Sequence, residues 1–307
     1  MLLFAGSSHP DLAHAIANSL AMSLGRCTLQ RFPDGEVSVV LEEPVRGQEV
    51  FILQSTCPPV DAHLMELLAL ADACRRAGAS RVIAIVPYFG YARSDKRDGE
   101  KRPIMASVVA SLMEAVGIAQ VITFDPHVPQ IEGFFRIPID SLTAVPLLLK
   151  GVSDRVSKDV VVVAPDTGRI KLALHFADHL KTDVAVLHKQ RDGGSSTHVC
   201  RIVGEVKERS CLIVDDLISS GGTLKDATEV LLSAGALPNI TVIATHSLWV
   251  GSAVESLQHP ALKQIITTDT VAPPKIEMPN LTLVSVASRV ATAIERSLDG
   301  QSLESLY

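Results

Sequence analysis

The sequence predicts an α/β fold built from two tandem, mainly parallel sheets flanked by helices. Short apolar runs of strand length alternate with segments of helical period along most of the chain, the pattern of parallel strands joined by helical crossovers. Near Ser141 the alternation restarts, which divides the 307 residues into a first domain at 1–141 and a second at 142–307. The halves are alike in element order but not in residues, as a structural duplication with diverged chemistry would be.

In the first half, strands are predicted at 2–5, 28–32, 49–54, 82–86 and 121–124. Helices fall at 11–24, at 61–77 with apolar residues at helical spacing and Gly78 after it, and at 103–116 ended by Gly117. In the second half the strands are 160–163, 184–187, 211–214, 240–244 and 264–267, with helices at 166–180, 222–234 and 285–298. The closing helix is expected to pack back on the first domain. No low-complexity linker separates the halves.

Composition narrows the function classes. Apolar residues make up 47% and charged residues 20% of the chain, enough for large cores and too apolar for global disorder. Aromatics are 4%, net charge is −6 and no long basic block occurs, so neither nucleic acid nor an anionic membrane is an expected partner. The five cysteines are scattered without CxxC spacing, the N-terminus lacks a basic signal-like region, and no apolar run reaches membrane-spanning length. The expectation is a cytoplasmic protein with reduced thiols.

Ser210 to Leu224 carries the sharpest signal. An apolar strand ends on Asp215 and Asp216, followed by Ser219, Ser220, Gly221, Gly222 and Thr223 and then a helix. Glycines let backbone N–H groups approach an anion, and a helix N-terminus adds favourable partial charge, so the layout suits a phosphate. The carboxylates would repel that phosphate; they suit sugar hydroxyls or a divalent cation. A sugar phosphate satisfies both halves of the motif. The pattern is neither a Walker A loop, since no Gly-Lys-Thr follows, nor a dinucleotide fingerprint.

Weaker motifs sit at other predicted strand ends, where ligands of open α/β sheets bind. Phe32-Pro33-Asp34-Gly35-Glu36 reads first as a plain turn. The run from Pro87 to Asp98 combines aromatics with Arg93 and mixed charge; it is either a solvated loop or a polyphosphate clamp. Phe124-Asp125-Pro126-His127 offers a metal or phosphate contact, and Asp166 in Pro165-Asp166-Thr167-Gly168-Arg169 suits a helix N-cap or a cation. His188 to Ser196 becomes Gly/Ser-rich around Lys189 and Arg191, cations suited to charge developing on a transferring phosphoryl group when a flexible loop closes.

Taken in order, FPDGE, YFGYARSDKRD, DPH, PDTGR, KQR and VDDLISSGGT resemble the ribose-phosphate pyrophosphokinase (phosphoribosyl-pyrophosphate synthetase) family over nearly the whole chain. The resemblance implies two type I phosphoribosyltransferase-like domains sharing an active site. It implies transfer of the β,γ-diphosphoryl group of ATP to the C1 hydroxyl of ribose 5-phosphate, with Mg²⁺ required. By that resemblance Phe32, Asp34 and Glu36 line the adenine site across a subunit interface, and Arg93, Ser94 and Asp98 also hold ATP. His127 and Asp166 form the metal-associated pair. Asp215, Asp216, Ser219, Ser220, Gly221, Gly222 and Thr223 take ribose 5-phosphate, and Lys189 and Arg191 stabilise the transition state. A homo-oligomer, dimer or hexamer, follows from the same resemblance.

The chain departs from the most familiar members at Ser94, where they carry Gln, at Ser219 and Gly221, and at PDTGR, where they carry Pro-Asp-x-Gly-Gly; its Ser-Ser-Gly-Gly turn looks more like archaeal-type members. Two rival readings stand beside this one. A phosphoribosyltransferase would use the Asp215 loop but leave the first-half motifs unemployed. A non-catalytic regulatory homologue would bind nucleotides and assemble with a true synthetase.

Overall fold

The computed structural model describes residues 1–152, 155–157, 159–191 and 198–307, with the backbone alone for 189–191 and 198–200. Its contacts divide into two compact units, Met1–Ala144 with Thr270–Ala272 and Ser285–Tyr307, and Val145–Asp269 with Pro273–Val284.

The first unit is built on β1 (Leu2–Ala5), β4 (Glu49–Leu53), β5 (Arg81–Val86), β6 (Gln120–Phe124) and β7 (Ile139–Leu142), all parallel and in that spatial order. The order never doubles back. Strands β4, β5 and β6 are buried on both faces, which is why they read as continuous apolar runs. Helix α2 (Val60–Arg76) buries Leu64, Leu67, Leu68, Ala71 and Cys74, a helical stripe that joins Phe4, Ile52 and Val82 in one core.

A hairpin of β2 (Cys27–Arg31) and β3 (Val37–Leu41) lays Leu29, Val39 and Leu41 against that core. Arg31 ties the hairpin down by donating to Gly35 O at 2.9 Å and to Ala62 O at 3.2 Å. Helix α1 (Pro10–Ser19) stops short of the expected residue 24, because Ala21 turns into left-handed φ (51°) and Gly25 N then returns to Leu3 O at 2.8 Å. Helix α3 (Met105–Ala115) begins two residues later than expected, where Ser94 meets its first amides. The last helix, α8 (Ala287–Leu298), packs on α1 and buries Val290, Ala291, Ala293 and Ile294, and Tyr307 donates to Asp140 at 2.7 Å.

The second unit holds a seven-stranded sheet: β8 (Val160–Ala164), β9 (Val184–Arg191), β10 (His198–Val203), β11 (Ser210–Ile218), β12 (Ile240–Ser247), β13 (Leu262–Thr268) and β14 (Leu281–Val284). Their spatial order is β10-β9-β8-β11-β12-β13-β14, parallel except for the β9–β10 hairpin. The chain builds outward from β8 to one side through β9 and β10, then crosses back to add β11 and its successors on the other. The switch point of this sheet therefore lies between β8 and β11. Helices α4 (Val145–Val152), α5 (Ile170–Leu180), α6 (Gly222–Ser233) and the single turn α7 (Ala253–Ser256) complete the unit.

Several sequence expectations are corrected here. Asp215 and Asp216 do not stop their strand; β11 runs on to Ile218 because β12 still offers partners, with Asp215 opposite Ala244 and Leu217 opposite His246. Lys189 and Arg191 lie on the backbone of β9 rather than on a loop, since the strand continues past residue 187 into pairing with β10. Residues 192–197 of that expected loop lie outside the described residues. The helix expected at 166–180 opens with a separate 3-10 turn, Thr167–Arg169. Strands β3, β7, β10 and β14 and helix α4 were not assigned ranges from the sequence.

Among the described residues no helix is long and apolar enough to cross a membrane. Cys27, Cys57, Cys74 and Cys211 are free thiols, as expected.

Ile213 sits fully buried where β11 pairs with both β8 and β12. Ile213→Ala is expected to cost about 2–5 kcal/mol, read as a lower urea midpoint followed by circular dichroism; a loss below about 1 kcal/mol would deny that the strand is a core element.

Candidate functional site

The site of the second unit is made by the unequal lengths of three neighbouring strands. Pairing of β11 with β8 ends at Ile213–Val163, whereas pairing with β12 continues to Ile218–Ser247. Beyond Ile213 the acidic pair is thus bonded along one edge only. On the other edge the chain after β8 peels away as Pro165 to Arg169. This opening is the crevice that a switch point creates at the carboxyl ends of parallel strands.

Into it comes Arg169, from the 3-10 turn after β8. Its Nε lies 3.7 Å from Asp215 Oδ1, and its terminal nitrogen 3.2 Å from Asp216 Oδ2. All three side chains are largely buried, at 15%, 12% and 10% exposure. The Asp216 amide donates to Asp215 Oδ1 at 2.9 Å. Burial, and then the hydrogen bond and charge of the neighbouring Asp216, push the Asp215 carboxyl up to about 8, with Arg169 pulling the other way. One buried cation facing two carboxylates cannot keep both ionised cheaply. Arg169 had no role assigned from sequence. The signal was present: a basic residue closing a strand-end turn, in a half whose other strand end carries two acids.

The turn beyond β11 is buttressed from behind. Ile218 O accepts from Leu248 N at 2.8 Å and Ser219 O from Val250 N at 3.4 Å. Gly221 takes φ +78° as the residue before α6, and a Cβ there would stand 2.9 Å from Ser256 Cβ. Both its backbone and the close approach of α7 require glycine. With Gly221 packed inward, Ser220, Gly222 and Thr223 face solvent at the N-terminus of α6, where unpaired amides favour an anion. Asp166 is exposed at the other lip of the crevice; its Oδ1 accepts from Gly168 N at 2.7 Å, the N-cap expected of it.

In the first unit, Phe32, Asp34 and Glu36 sit together at the tip of the β2–β3 hairpin. Asp34 Oδ1 accepts from Glu36 N at 3.0 Å, and Phe32 N donates to Glu36 O at 2.9 Å. The turn satisfies its own backbone and leaves Phe32 54% exposed. An outward aromatic on a fixed turn suits stacking on a flat ring. Arg93 is exposed, and Asp98 pairs with Lys96 at 3.3 Å. Ser94 has a structural duty: its Oγ and O accept from Met105 N and Ala106 N at 3.3 and 3.2 Å, capping α3. His127 is half-buried after β6; two residues earlier, Asp125 Oδ2 accepts from Ala144 N at 2.9 Å. The side chains of Lys189 and Arg191 lie outside the described residues.

A mainly parallel sheet with an acid pair and an amide-rich turn at its switch point is of type I phosphoribosyltransferase-like fold. Comparison with known proteins narrows the class. The family described as the N-terminal domain of ribose phosphate pyrophosphokinase matches residues 1–117, and that described as the phosphoribosyl synthetase-associated domain matches 195–307. The ribose-phosphate pyrophosphokinase of Clostridium perfringens is 41% identical over 99% of this chain and 97% of its own length. That of Rhizobium meliloti is 42% identical over the full length of both. The crystal structure of phosphoribosylpyrophosphate synthetase from Mycobacterium smegmatis superposes with a TM-score of 0.92 at 35% identity, covering 97% of this chain and 99% of that one. The chain belongs to the ribose-phosphate pyrophosphokinase family.

The raised Asp215 carboxyl gives a pH signature. A carboxyl lifted from 3.8 to about 8 favours folding while it is protonated, so its contribution is complete below 3.8 and is lost as pH climbs through about 8. Asp215→Asn has no such proton to lose. Its melting temperature relative to the unaltered chain is expected to rise steadily between pH 5 and pH 8.5 and then level off. A difference independent of pH would show that Asp215 titrates normally.

Proposed function

We propose that the chain transfers the β,γ-diphosphoryl group of ATP to the C1 hydroxyl of ribose 5-phosphate, releasing AMP and phosphoribosyl pyrophosphate. The observation that carries this reading is the crevice between β8 and β11, where carboxylates suited to pentose hydroxyls stand beside an amide-rich helix start suited to a phosphate. Family membership over the whole chain supports the same activity.

In this reading Asp215 and Asp216 accept hydrogen bonds from the pentose hydroxyls, and the turn Ser219 to Thr223 takes the 5-phosphate on its main-chain amides and hydroxyls. Phe32 stacks on the adenine with Asp34 and Glu36 at its edge, and Arg93 and Asp98 contact the ATP. Ser94 contributes by fixing the start of α3 beside them. Lys189 and Arg191 meet charge on the transferring group. The C1 oxygen bonds to the β-phosphorus as the bond from β-phosphorus to the oxygen shared with the α-phosphate breaks; the hydroxyl proton passes to water. No side chain is assigned as a general base. Positioning and electrostatics supply the acceleration, as in phosphoryl transfer generally.

Mg²⁺ fits the donor chemistry of Asp166, an exposed carboxylate. This ion is commonly bound through one or two carboxylates together with waters and substrate phosphates, rather than by an all-protein cage. Among the described residues no group of three or more His, Cys, Asp or Glu could hold a metal. His127, a nitrogen donor, suits contact through a coordinated water. When bound, Mg²⁺ neutralises charge on polyphosphate oxygens. The reading also makes the chain a cytoplasmic homo-oligomer, dimer or hexamer, in which the exposed Phe32 hairpin reaches the nucleotide of a neighbouring copy.

The purified chain, given ATP and Mg²⁺, is expected to release AMP only when ribose 5-phosphate is added, with no second protein present. Consumption of phosphoribosyl pyrophosphate with a free base, and no AMP from ATP, would make it a phosphoribosyltransferase; no AMP until a second subunit is supplied would make it a regulatory homologue. Lys189→Ala and Arg191→Ala are each expected to lower kcat about a hundredfold with KM changed less than about fivefold, estimates set by the ~10²–10³-fold effects of removing single transition-state contacts. Equal loss in kcat and in substrate binding would place both residues in ground-state binding instead.

A further inference from the structure

Tyr91 stands two residues before Arg93 in a backbone conformation that a bulky residue rarely adopts. Its φ is +65°, in the left-handed region that favours glycine, so the surrounding structure must hold it there. Three contacts do so. The Tyr91 hydroxyl donates to Asp61 Oδ1, its ring packs against the core of the first unit, and its carbonyl accepts from Ser94 N at 2.8 Å. Left-handed φ on a non-glycine residue clusters where a turn serves a ligand, and this turn carries the exposed Arg93.

The chain is fixed on both sides of Arg93. Upstream, Gly90 N donates to the buried Thr56 Oγ1 at 2.6 Å, and a Cβ on Gly90 would stand 2.4 Å from Thr56 O. The turn is thus pressed against the segment that follows β4. Downstream, Ser94 Oγ accepts from the first amide of α3. Asp61 belongs to the first turn of α2, and the next residue, Ala62, accepts on its carbonyl from Arg31 at 3.2 Å. One helix turn therefore anchors both the hairpin that bears Phe32 and the turn that bears Arg93. The Arg93 side chain makes no hydrogen bond or ion pair among the described residues, so the backbone sets its reach.

We infer that Tyr91 is a positioning residue for ATP, latched to Asp61 so that its left-handed turn holds Arg93 in place to meet the polyphosphate. This rests on the assignment of Arg93 to ATP made above. Neither Tyr91 nor Asp61 bonds to a substrate atom in this scheme. A carboxylate facing ATP directly would repel its phosphates; Asp61 instead accepts from a tyrosine hydroxyl and acts through the turn. The latch bears on one substrate and leaves ribose 5-phosphate untouched.

The test uses the full-length protein with Mg²⁺, ATP and ribose 5-phosphate. Tyr91→Phe keeps the ring and removes the donor, Asp61→Ala removes the acceptor, and Asp61→Asn keeps an acceptor oxygen without the charge. Tyr91→Phe and Asp61→Ala are each expected to raise the KM for ATP at least about fivefold, the scale of one lost hydrogen bond to a charged group, with the KM for ribose 5-phosphate within about twofold. Asp61→Asn should recover most of the lost affinity. Because both residues act through one bond, the double variant should bind ATP within about twofold of either single one, and Tyr91→Phe should add less than about twofold to Arg93→Ala. Melting curves check that each variant is folded. A smaller rise in the KM for ATP overturns the inference, as does an equal rise for both substrates or an undiminished effect in the Arg93→Ala background. If Tyr91→Phe does not fold, Asp61→Ala, on an exposed residue, is judged by the same criteria. If Arg93→Ala leaves the KM for ATP unchanged, the assignment of Arg93 falls and takes this inference with it; a weakened Arg93→Ala beside an unaffected Tyr91→Phe refutes only the role of Tyr91.

Discussion

The second unit depends on one strand, β11, being longer on one side than on the other. Its apolar first half is paired on both edges and anchors the sheet. Its second half keeps β12 and loses β8, because the chain after β8 must leave the sheet to begin a new crossover. Carboxylates are poorly tolerated in the middle of a buried parallel sheet, but this half-edge gives them backbone pairing on one side and an opening on the other. The same departure of β8 delivers Arg169 to that opening. Placement of the acids and placement of their cation are two results of one topological event.

Electrostatics then sets what the crevice does. With Asp215 lifted toward neutrality, the three side chains together carry little net charge at neutral pH, so they can be buried without a bound ion. The acceptor oxygens on the strand lie a turn away from the exposed main-chain amides that open α6. In the proposed reading, separation of the two chemistries along the chain, acids on the strand and amides after Gly221, lets one sugar phosphate satisfy both. The backing from Leu248, Val250 and Ser256 holds that separation in place, since the turn cannot slide while Ile218 and Ser219 carbonyls are held and Gly221 is packed against α7.

Much of this was legible in the sequence, for reasons particular residues make plain. The buried strands at Val160–Ala164, Arg81–Val86 and Gln120–Phe124 carry apolar runs, continuous apart from the leading Arg81 and Gln120 and from Thr123, a pattern that polar loops do not imitate. Helix α2 has a clear apolar stripe. By contrast, β7 reads Ile-Asp-Ser-Leu, too short and polar to stand out, and α4 is a short, mostly apolar run with Pro146 in its first turn. Ser94 holds ATP by the family resemblance, and only the fold shows its Oγ accepting from the Met105 amide at the start of α3. The acidic pair was legible at the end of an apolar run; that the strand continues through it was not, because continuation depends on β12, whose partner residues lie 29 positions further on, as Asp215 with Ala244.

Residue order alone determined the alternation of strands and helices, the glycine-rich helix start, and the motif series by which the chain resembles its family, because each is a local pattern readable within about fifteen residues. Tertiary structure decided the strand order, the switch point between β8 and β11, and the meeting of Arg169 with Asp215 and Asp216. Those contacts join residues more than forty positions apart. No local propensity encodes such a distance; it arises only when the crossovers have chosen which strands lie side by side.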